Sequence, residues 1–280
     1  QVKNLFYVIG LVLLLGVIVL LSTAVLMAVL IKGGKGLGIA IDEDLLYSMS
    51  GSLGIGVTGI LVAIYVKKKS LTQYAQEKKP FQIKAAAYYA GWAFSLCSVL
   101  FYAVTTFLFV HVFSLTEEAN AVVENSGSLT LLGELVLSVF LAPVLEELLF
   151  RYGFYNLLRR RLENKGAIIL CTLIFAVIHG YSLQGFCMCI VGGLVFLLIY
   201  IRSGNIWYSI IAHMTCNLDA SVMNVLEDKG VTLLGMPIQY EVSGFNMVHP
   251  VLIVLAGIYC IVCVVKAKKE KRRMKQCIRF

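Results

Sequence analysis

Two adjacent glutamates, Glu146 and Glu147, lie late in a long apolar run that extends over residues 131–150. A carboxylate at the centre of a bilayer-spanning helix costs about 2.5–3.5 kcal/mol on insertion scales, so two of them indicate a charge partner or a chemical task. Two histidines, His179 and His213, lie inside other apolar runs. This combination of carboxylates and imidazoles indicates acid–base chemistry inside a membrane.

Helix geometry separates the two glutamates. At about 100° per residue, Glu147 and Arg151 lie on one helix face as an i,i+4 pair, which predicts an ion pair. Glu146 lies about 100° away from Glu147. We therefore expect Glu147 and Arg151 to neutralise each other as supporting residues, while Glu146 stays free to act. Pro143 deprives one helical carbonyl of its donor, which predicts a kink that widens a cavity beside Glu146.

The remaining polar residues suit peptide-bond hydrolysis by water. Glu146 together with His179 can hold and deprotonate a water molecule, as general-base catalysis requires. His213 and Asn217 form another i,i+4 pair, whose N–H groups suit an oxyanion hole. No serine or cysteine nucleophile is needed in such a reaction.

The depths of these side chains also agree. Glu146, His179 and His213 lie 13, 14 and 11 residues, respectively, from a basic residue at the end of the same span. At 1.5 Å per residue these separations correspond to roughly 20, 21 and 16 Å. Three helices thus place polar groups at nearly one level of the membrane, which predicts a single site.

The composition identifies a membrane protein. Of 280 residues, 59% are hydrophobic and 14% are charged, and the mean hydropathy is +0.86. Soluble domains are nearer 45–50% apolar and about 25% charged. The net charge of +8 arises from basic residues beside apolar runs, where anionic lipid headgroups are the expected partner and nucleic acid is not.

The apolar runs predict an all-α polytopic bundle of about eight transmembrane helices in a single membrane domain, residues 1–280, with the catalytic core at 130–225. The predicted spans are 5–31, 47–66, 85–113, 130–154, 166–180, 183–201, 205–224 and 247–265. The fifth span is short, so the chain must turn back just after His179. Twenty of the 24 basic residues fall on one side of this topology, which predicts that both termini are cytoplasmic.

The ends of the chain and its cysteines add little chemistry. The run 5–31 is too long for a signal-peptide core, so we expect a retained span; because the first residue is Gln1 rather than Met, we expect a short segment to precede it. The eight cysteines lie in apolar runs or the basic tail, without zinc-site spacing, so we expect no structural disulfides. Residues 277–280 loosely resemble a C-a-a-X box, but Arg279 occupies one of its aliphatic positions.

Three motifs resemble those of the CPBP family, the CAAX proteases and bacteriocin-processing enzymes that are also called glutamic-type intramembrane proteases. The first is two glutamates, three residues and an arginine, here Glu146 to Arg151. The second is Phe-x-x-x-His, here Phe175 to His179. The third is His-x-x-x-Asn, here His213 to Asn217. The motifs occur in the family's order, and the resemblance covers about residues 130–225.

The resemblance implies roles for these residues. Glu146 and His179 would activate water, and His213 with Asn217 would stabilise the oxyanion, without any cofactor or metal. It implies an intramembrane endopeptidase whose partner is a membrane-associated peptide or lipidated protein, either prenylated or amphipathic, and it is compatible with bacteriocin processing or immunity. We expect an integral protein of the bacterial cell membrane; the residues do not select the substrate.

Three alternatives remain open from the sequence. A zinc-dependent membrane metalloprotease could use Glu146, His179 and His213 as ligands, although the His-Glu-x-x-His helix is absent. A non-catalytic immunity protein could capture a peptide in the same cavity. A transporter is disfavoured because no matched pair of spans is interrupted by Gly or Pro. Glu146→Gln would abolish function in a protease and leave a binder largely intact.

Overall fold

The computed structural model describes residues 2–37, 43–69, 80–102, 132–133, 135–179, 183–228, 232–233, 236–237 and 258. Most of these residues are helical. The helices are α1 (Val2–Leu37), α2 (Glu43–Lys68), α3 (Ile83–Tyr102), α4 (136–158), α5 (Asn164–His179), α6 (Leu183–Ser203) and α7 (Ile206–Asp228). The two-residue strands β1 (Thr232–Leu233) and β2 (Met236–Pro237) pair antiparallel. Apart from this small ladder, the described part of the chain is all-helical, as predicted.

Three described helices are long and apolar enough to cross a membrane: Phe6–Gly36, Met49–Lys68 and Gly185–Ser203. They coincide with the predicted spans 5–31, 47–66 and 183–201, and the protein is an integral membrane protein. The short fifth span is also present, as the apolar helix Asn164–His179. The predicted span 247–265, residue 258 excepted, and the end of span 85–113 lie outside the described residues. The count of eight spans and the cytoplasmic termini stay predictions.

Helix α4, which carries both glutamates, departs from α-helical geometry. Its segments are π-helical Val136–Leu141, α-helical Ala142–Glu147, π-helical Leu148–Tyr155 and α-helical Asn156–Leu158. The Ala142 N–H donates to the carbonyl of Leu137, five residues earlier. Pro143, which has no N–H, lies in the first turn of the α-helical segment that begins at Ala142. A π-helical turn thus lies just before Pro143, a feature that is frequent at functional sites; the kink and the cavity beside Glu146 stay predictions.

Glycines let α2 approach α4 closely. A Cβ atom built on Gly59 would lie 3.0 Å from the carbonyl oxygen of Leu145 and 3.1 Å from the amide nitrogen of Leu149. From the other helix, a Cβ on Gly153 would lie 2.6 Å from a methyl group of Val62. Small residues allow such close approach between membrane helices. Helix α2 thus supports the segment of α4 that bears the glutamates.

Helix α6 joins the two hydrophobic clusters of the described residues. Leu197 and Tyr200 pack in a cluster with side chains of α2, α4 and α5. Val195 and Phe196 pack in a second cluster with side chains of α3 and α7. A Cβ on Gly193 would lie 2.9 Å from the Phe175 ring, so α5 also lies close to α6. This packing brings α4, α5, α6 and α7 together around the polar residues.

Candidate active site

The ion pair predicted within α4 is present and buried. The side chains of Arg151 and Glu147 are 1% and 0% exposed, and Nη1 lies 3.0 Å from Oε1. Nη2 of Arg151 also donates to the Gly193 carbonyl at 3.2 Å, and the guanidinium lies over the Phe175 ring, 4.1 Å from its centroid. Breaking a buried pair by removing one partner typically costs about 3–5 kcal/mol. The Arg151 contacts therefore hold α4 against α5 and α6.

Glu147 has two further partners, both on α7. Its Oε1 lies 3.0 Å from Nδ1 of His213, and its Oε2 lies 2.6 Å from Oγ of Ser209. The sequence analysis predicted neither contact. Ser209 lies one turn before His213 on the same helix face, and this i,i+4 spacing was the signal that could have identified it. Glu147 is thus the centre of a buried network rather than half of an isolated pair.

Glu146 faces both histidines. His179 Nε2 lies 3.4 Å from its Oε1, and His213 Nε2 lies 3.8 Å from its Oε2. These separations are longer than a good N–H···O hydrogen bond, so the contacts are loose. Side chains from α4, α5 and α7 meet here, at the residues that the sequence analysis placed at one depth.

The backbone fixes the tautomer of neutral His179. Its Nδ1 lies 2.8 Å from the carbonyl oxygen of Phe175, and a carbonyl only accepts, so Nδ1 carries the proton. The Nε2 atom that faces Glu146 then presents a lone pair. Nε2 and a carboxylate oxygen are both acceptors, so a shared proton or a water that donates to both would satisfy them. His179 is the last residue of α5, and its side chain is 24% exposed.

The tautomer of neutral His213 is also set by the partner of Nδ1, which here is a carboxylate instead of a backbone carbonyl. An ionised Glu147 can only accept, so Nδ1 of His213 donates to it. The imidazole also stacks on Phe196, with ring centroids 4.4 Å apart and planes inclined by 20°. Nε2 therefore points toward Glu146, and it can donate a hydrogen bond only when the ring carries both protons.

Asn217 lies on α7, one turn beyond His213, and its amide contacts α4. Its Nδ2 donates to the carbonyl oxygen of Ser138 at 2.9 Å, in the first π-helical segment of α4. A carboxamide has two N–H groups, so this bond leaves one of them for another acceptor. The structure brings each histidine within 3.8 Å of Glu146 and sets the Asn217 amide against Ser138.

Charge constrains how many protons the site holds. Two carboxylates and the Arg151 guanidinium sum to one negative charge, and a buried unpaired charge is costly. One additional proton, held by His179, His213 or Glu146, makes the group neutral. Within the described ranges, no group of three His, Cys, Asp or Glu side chains has an arrangement that could hold a metal ion. The arrangement therefore suits proton transfer to and from Glu146.

One comparison with known proteins indicates a family for part of the chain. Residues 128–218 match the family model of the type II CAAX prenyl endopeptidase Rce1-like proteins. No curated protein and no solved structure matches the chain with significance. The matched segment contains all three motifs and nearly coincides with the core expected at 130–225. Over residues 128–218 the chain is therefore similar to the Rce1-like family of type II CAAX prenyl endopeptidases.

Proposed function

We propose that this protein is a glutamate-dependent intramembrane endopeptidase that hydrolyses a membrane-associated peptide, either prenylated or amphipathic. The observation that carries the proposal is that His179 and His213, from two different helices, both turn Nε2 toward Glu146. The family match supports endopeptidase activity. The glutamate mechanism and the class of substrate are the further steps proposed here.

In the first step a water molecule is held by Glu146 and by the lone pair of His179 Nε2. Its oxygen attacks the carbonyl carbon of the scissile bond, and the proton it loses passes to the Glu146 carboxylate. The carbonyl π electrons move to oxygen and form the oxyanion of a tetrahedral intermediate. The hydrogen bond from His179 Nδ1 to the Phe175 carbonyl keeps Nε2 directed at the water throughout this step.

In the second step the intermediate collapses. The oxyanion is stabilised by the N–H of protonated His213 and by the Asn217 N–H that Ser138 does not use. The carbon–nitrogen bond breaks as Glu146 returns its proton to the leaving nitrogen. The products are a new carboxylic acid and a free amine, and Glu146 is again a carboxylate. Donors aimed at such an oxyanion are each worth about 10²–10³ in rate.

The surroundings of the site favour a substrate that comes from lipid or from the cytoplasmic face. Helices α1, α2 and α6 contain the membrane-spanning stretches, and Arg159, Arg160 and Arg161 lie at the end of α4. Such a basic edge favours the cytoplasmic side, which supports cytoplasmic termini in a bacterial cell membrane. A lipid anchor or an apolar peptide segment would let the substrate reach a site at bilayer depth.

The test is hydrolysis by the full chain in liposomes. A farnesylated C-a-a-X peptide and an amphipathic peptide without lipid would be offered, and the products identified by mass spectrometry. We expect Glu146→Gln to abolish cleavage, because an amide cannot accept the proton of water. Glu163→Gln is the matched control, since Glu163 is exposed between α4 and α5. Glu146→Gln with full activity would refute the proposal.

The same assay decides between the alternatives. A binder would retain peptides in wild type and Glu146→Gln alike and release no product. A zinc enzyme would lose activity with a chelator and regain it with zinc alone. The arrangement of the described side chains does not favour the zinc alternative, because no group of three His, Cys, Asp or Glu among them could hold a metal ion.

A further inference from the structure

Ser209 is a buried polar residue to which the proposed reaction assigns no role. It is 0% exposed, and its hydroxyl lies 2.6 Å from Glu147 Oε2 and 2.8 Å from the Phe196 carbonyl oxygen. The Phe196 ring is the one that stacks on His213. One hydroxyl on α7 thus touches two of the residues that contact the His213 imidazole: Glu147, which accepts from Nδ1, and Phe196, whose ring stacks on the imidazole.

The Glu147 carboxylate is fixed from both sides. Arg151 and His213 occupy Oε1, and Ser209 occupies Oε2. Without the hydroxyl, Oε2 would lose this partner in a fully buried place, where unsatisfied polar groups are costly. The carboxylate would then turn toward Arg151 to regain a hydrogen bond, and its contact with His213 Nδ1 would weaken.

The orientation of His213 depends on the contact between its Nδ1 and the Glu147 carboxylate. Nδ1 is anchored by Glu147 at 3.0 Å, whereas Nε2 lies in a looser contact, 3.8 Å from Glu146. If this hydrogen bond to Glu147 weakens, Glu147 no longer keeps the proton on Nδ1. The neutral ring can then carry its proton on Nε2 instead. The charged, doubly protonated ring needed for oxyanion stabilisation also loses its nearest counter-charge.

We infer that Ser209 is a positioning residue, which holds the Glu147 carboxylate and through it sets the tautomer and direction of His213. The inference deepens the proposed function and rests on it for its kinetic consequence. Ser209 itself touches neither the substrate nor the attacking water. Its effect should therefore fall on turnover and not on substrate binding.

The kinetic test compares Ser209→Ala with two other variants in liposomes. Ser209→Thr keeps a hydroxyl, and Ser95→Ala is the matched control, because Ser95 is also buried and its hydroxyl donates to the Gly91 carbonyl within its own helix α3. We expect Ser209→Ala to lower kcat about tenfold to 100-fold, the range for a hydrogen bond to a charged group, with KM changed less than about twofold. Ser209→Thr should recover most of kcat, and Ser95→Ala should match wild type.

A spectroscopic test does not depend on turnover. Nitrogen-15 spectra of histidine-labelled protein report which ring nitrogen carries the proton, and the His213 signals are assigned by their loss in His213→Gln. We expect a protonated Nδ1 in wild type and in Ser209→Thr, and a mixture of tautomers in Ser209→Ala. Thermal unfolding of each variant shows that the fold is kept.

The two tests separate the inference from the proposed function. If wild type cleaves no peptide but the His213 signals change as expected, the positioning role stands and the protease proposal fails. Suppose that wild type is active. If Ser209→Ala then has the same kcat as Ser95→Ala and the same His213 spectrum as wild type, the positioning role is overturned. A loss of kcat that Ser209→Thr does not repair, with unchanged His213 signals, also overturns it.

Discussion

Nδ1 of His213 lies 3.0 Å from Oε1 of Glu147, the carboxylate that directly follows Glu146 in the sequence. Adjacent residues of one helix thereby contact the two nitrogens of one imidazole, since Nε2 faces Glu146. The paired glutamates therefore have different tasks. Glu147 contacts His213 and is paired with Arg151, while Glu146 has only the loose contacts that suit the role of proton acceptor proposed for it.

Glu147→Gln should destabilise the protein more than any other single change at the site. The substitution leaves Arg151 charged and without its counter-ion, at 1% exposure. We expect a loss of about 3–5 kcal/mol in the free energy of unfolding, measured by denaturant titration in mixed micelles. Activity should fall as well, because His213 loses its anchor.

The double variant Glu147→Leu with Arg151→Met is the control for that prediction. Replacing both members of a buried ion pair by apolar residues is often neutral or stabilising, so most of the lost stability should return. Activity should not return with it. A double variant that is no more stable than Glu147→Gln would show that the charge pair is not the cause.

His179→Gln should impair turnover with little effect on the fold. His179 ends α5 and is partly exposed, and after its loss Glu146 still faces His213. We expect kcat to fall about 10²–10⁴-fold, the range for a positioned acid–base group, while KM changes little. Ile178→Gln is a neighbouring control, since Ile178 is exposed on the same turn. Equal kinetics of the two variants would contradict the assigned role.

Asn217→Ala should reduce turnover by the loss of one oxyanion donor. We expect kcat to fall about 10²–10³-fold, with a smaller loss in stability from the broken bond to Ser138. Thr215→Val is the matched control on the same helix, because the Thr215 hydroxyl donates to the Ile211 carbonyl within α7 and not to α4 among the described residues. If Asn217→Ala loses stability but keeps its kcat, Asn217 only joins α7 to α4.

Gly59→Ala should disturb the site from a distance. A methyl group there would meet backbone atoms of α4 at 3.0 and 3.1 Å, and backbone cannot move aside as a side chain can. We expect a loss of about 1–3 kcal/mol in the free energy of unfolding, as for other overpacked sites, and lower activity because α4 is displaced. Gly51→Ala is the control: it lies on the same helix and would meet nothing within 4 Å.

How much of the structure could be predicted depends on how far apart the residues concerned lie along the sequence. The Glu147–Arg151 ion pair, the end of the short helix at His179 and the helices near 5–31, 47–66 and 183–201 were predicted, because helix periodicity and run length are local properties. The common depth of Glu146, His179 and His213 also followed from residue counts. The π-helical turns around Pro143 were not predicted from the sequence.

The sequence by itself determined that this is a helical membrane protein with carboxylates and imidazoles at one depth, and the order of its motifs pointed to the protease family that residues 128–218 match. Only the tertiary structure decided which partner each nitrogen has. His213 Nδ1 contacts Glu147, and Ser209 belongs to the same network, neither of which was predicted. Depth and helix face follow from counting along one helix, whereas rotation and spacing between helices are set by packing, here by glycines at the α2–α4 and α5–α6 contacts.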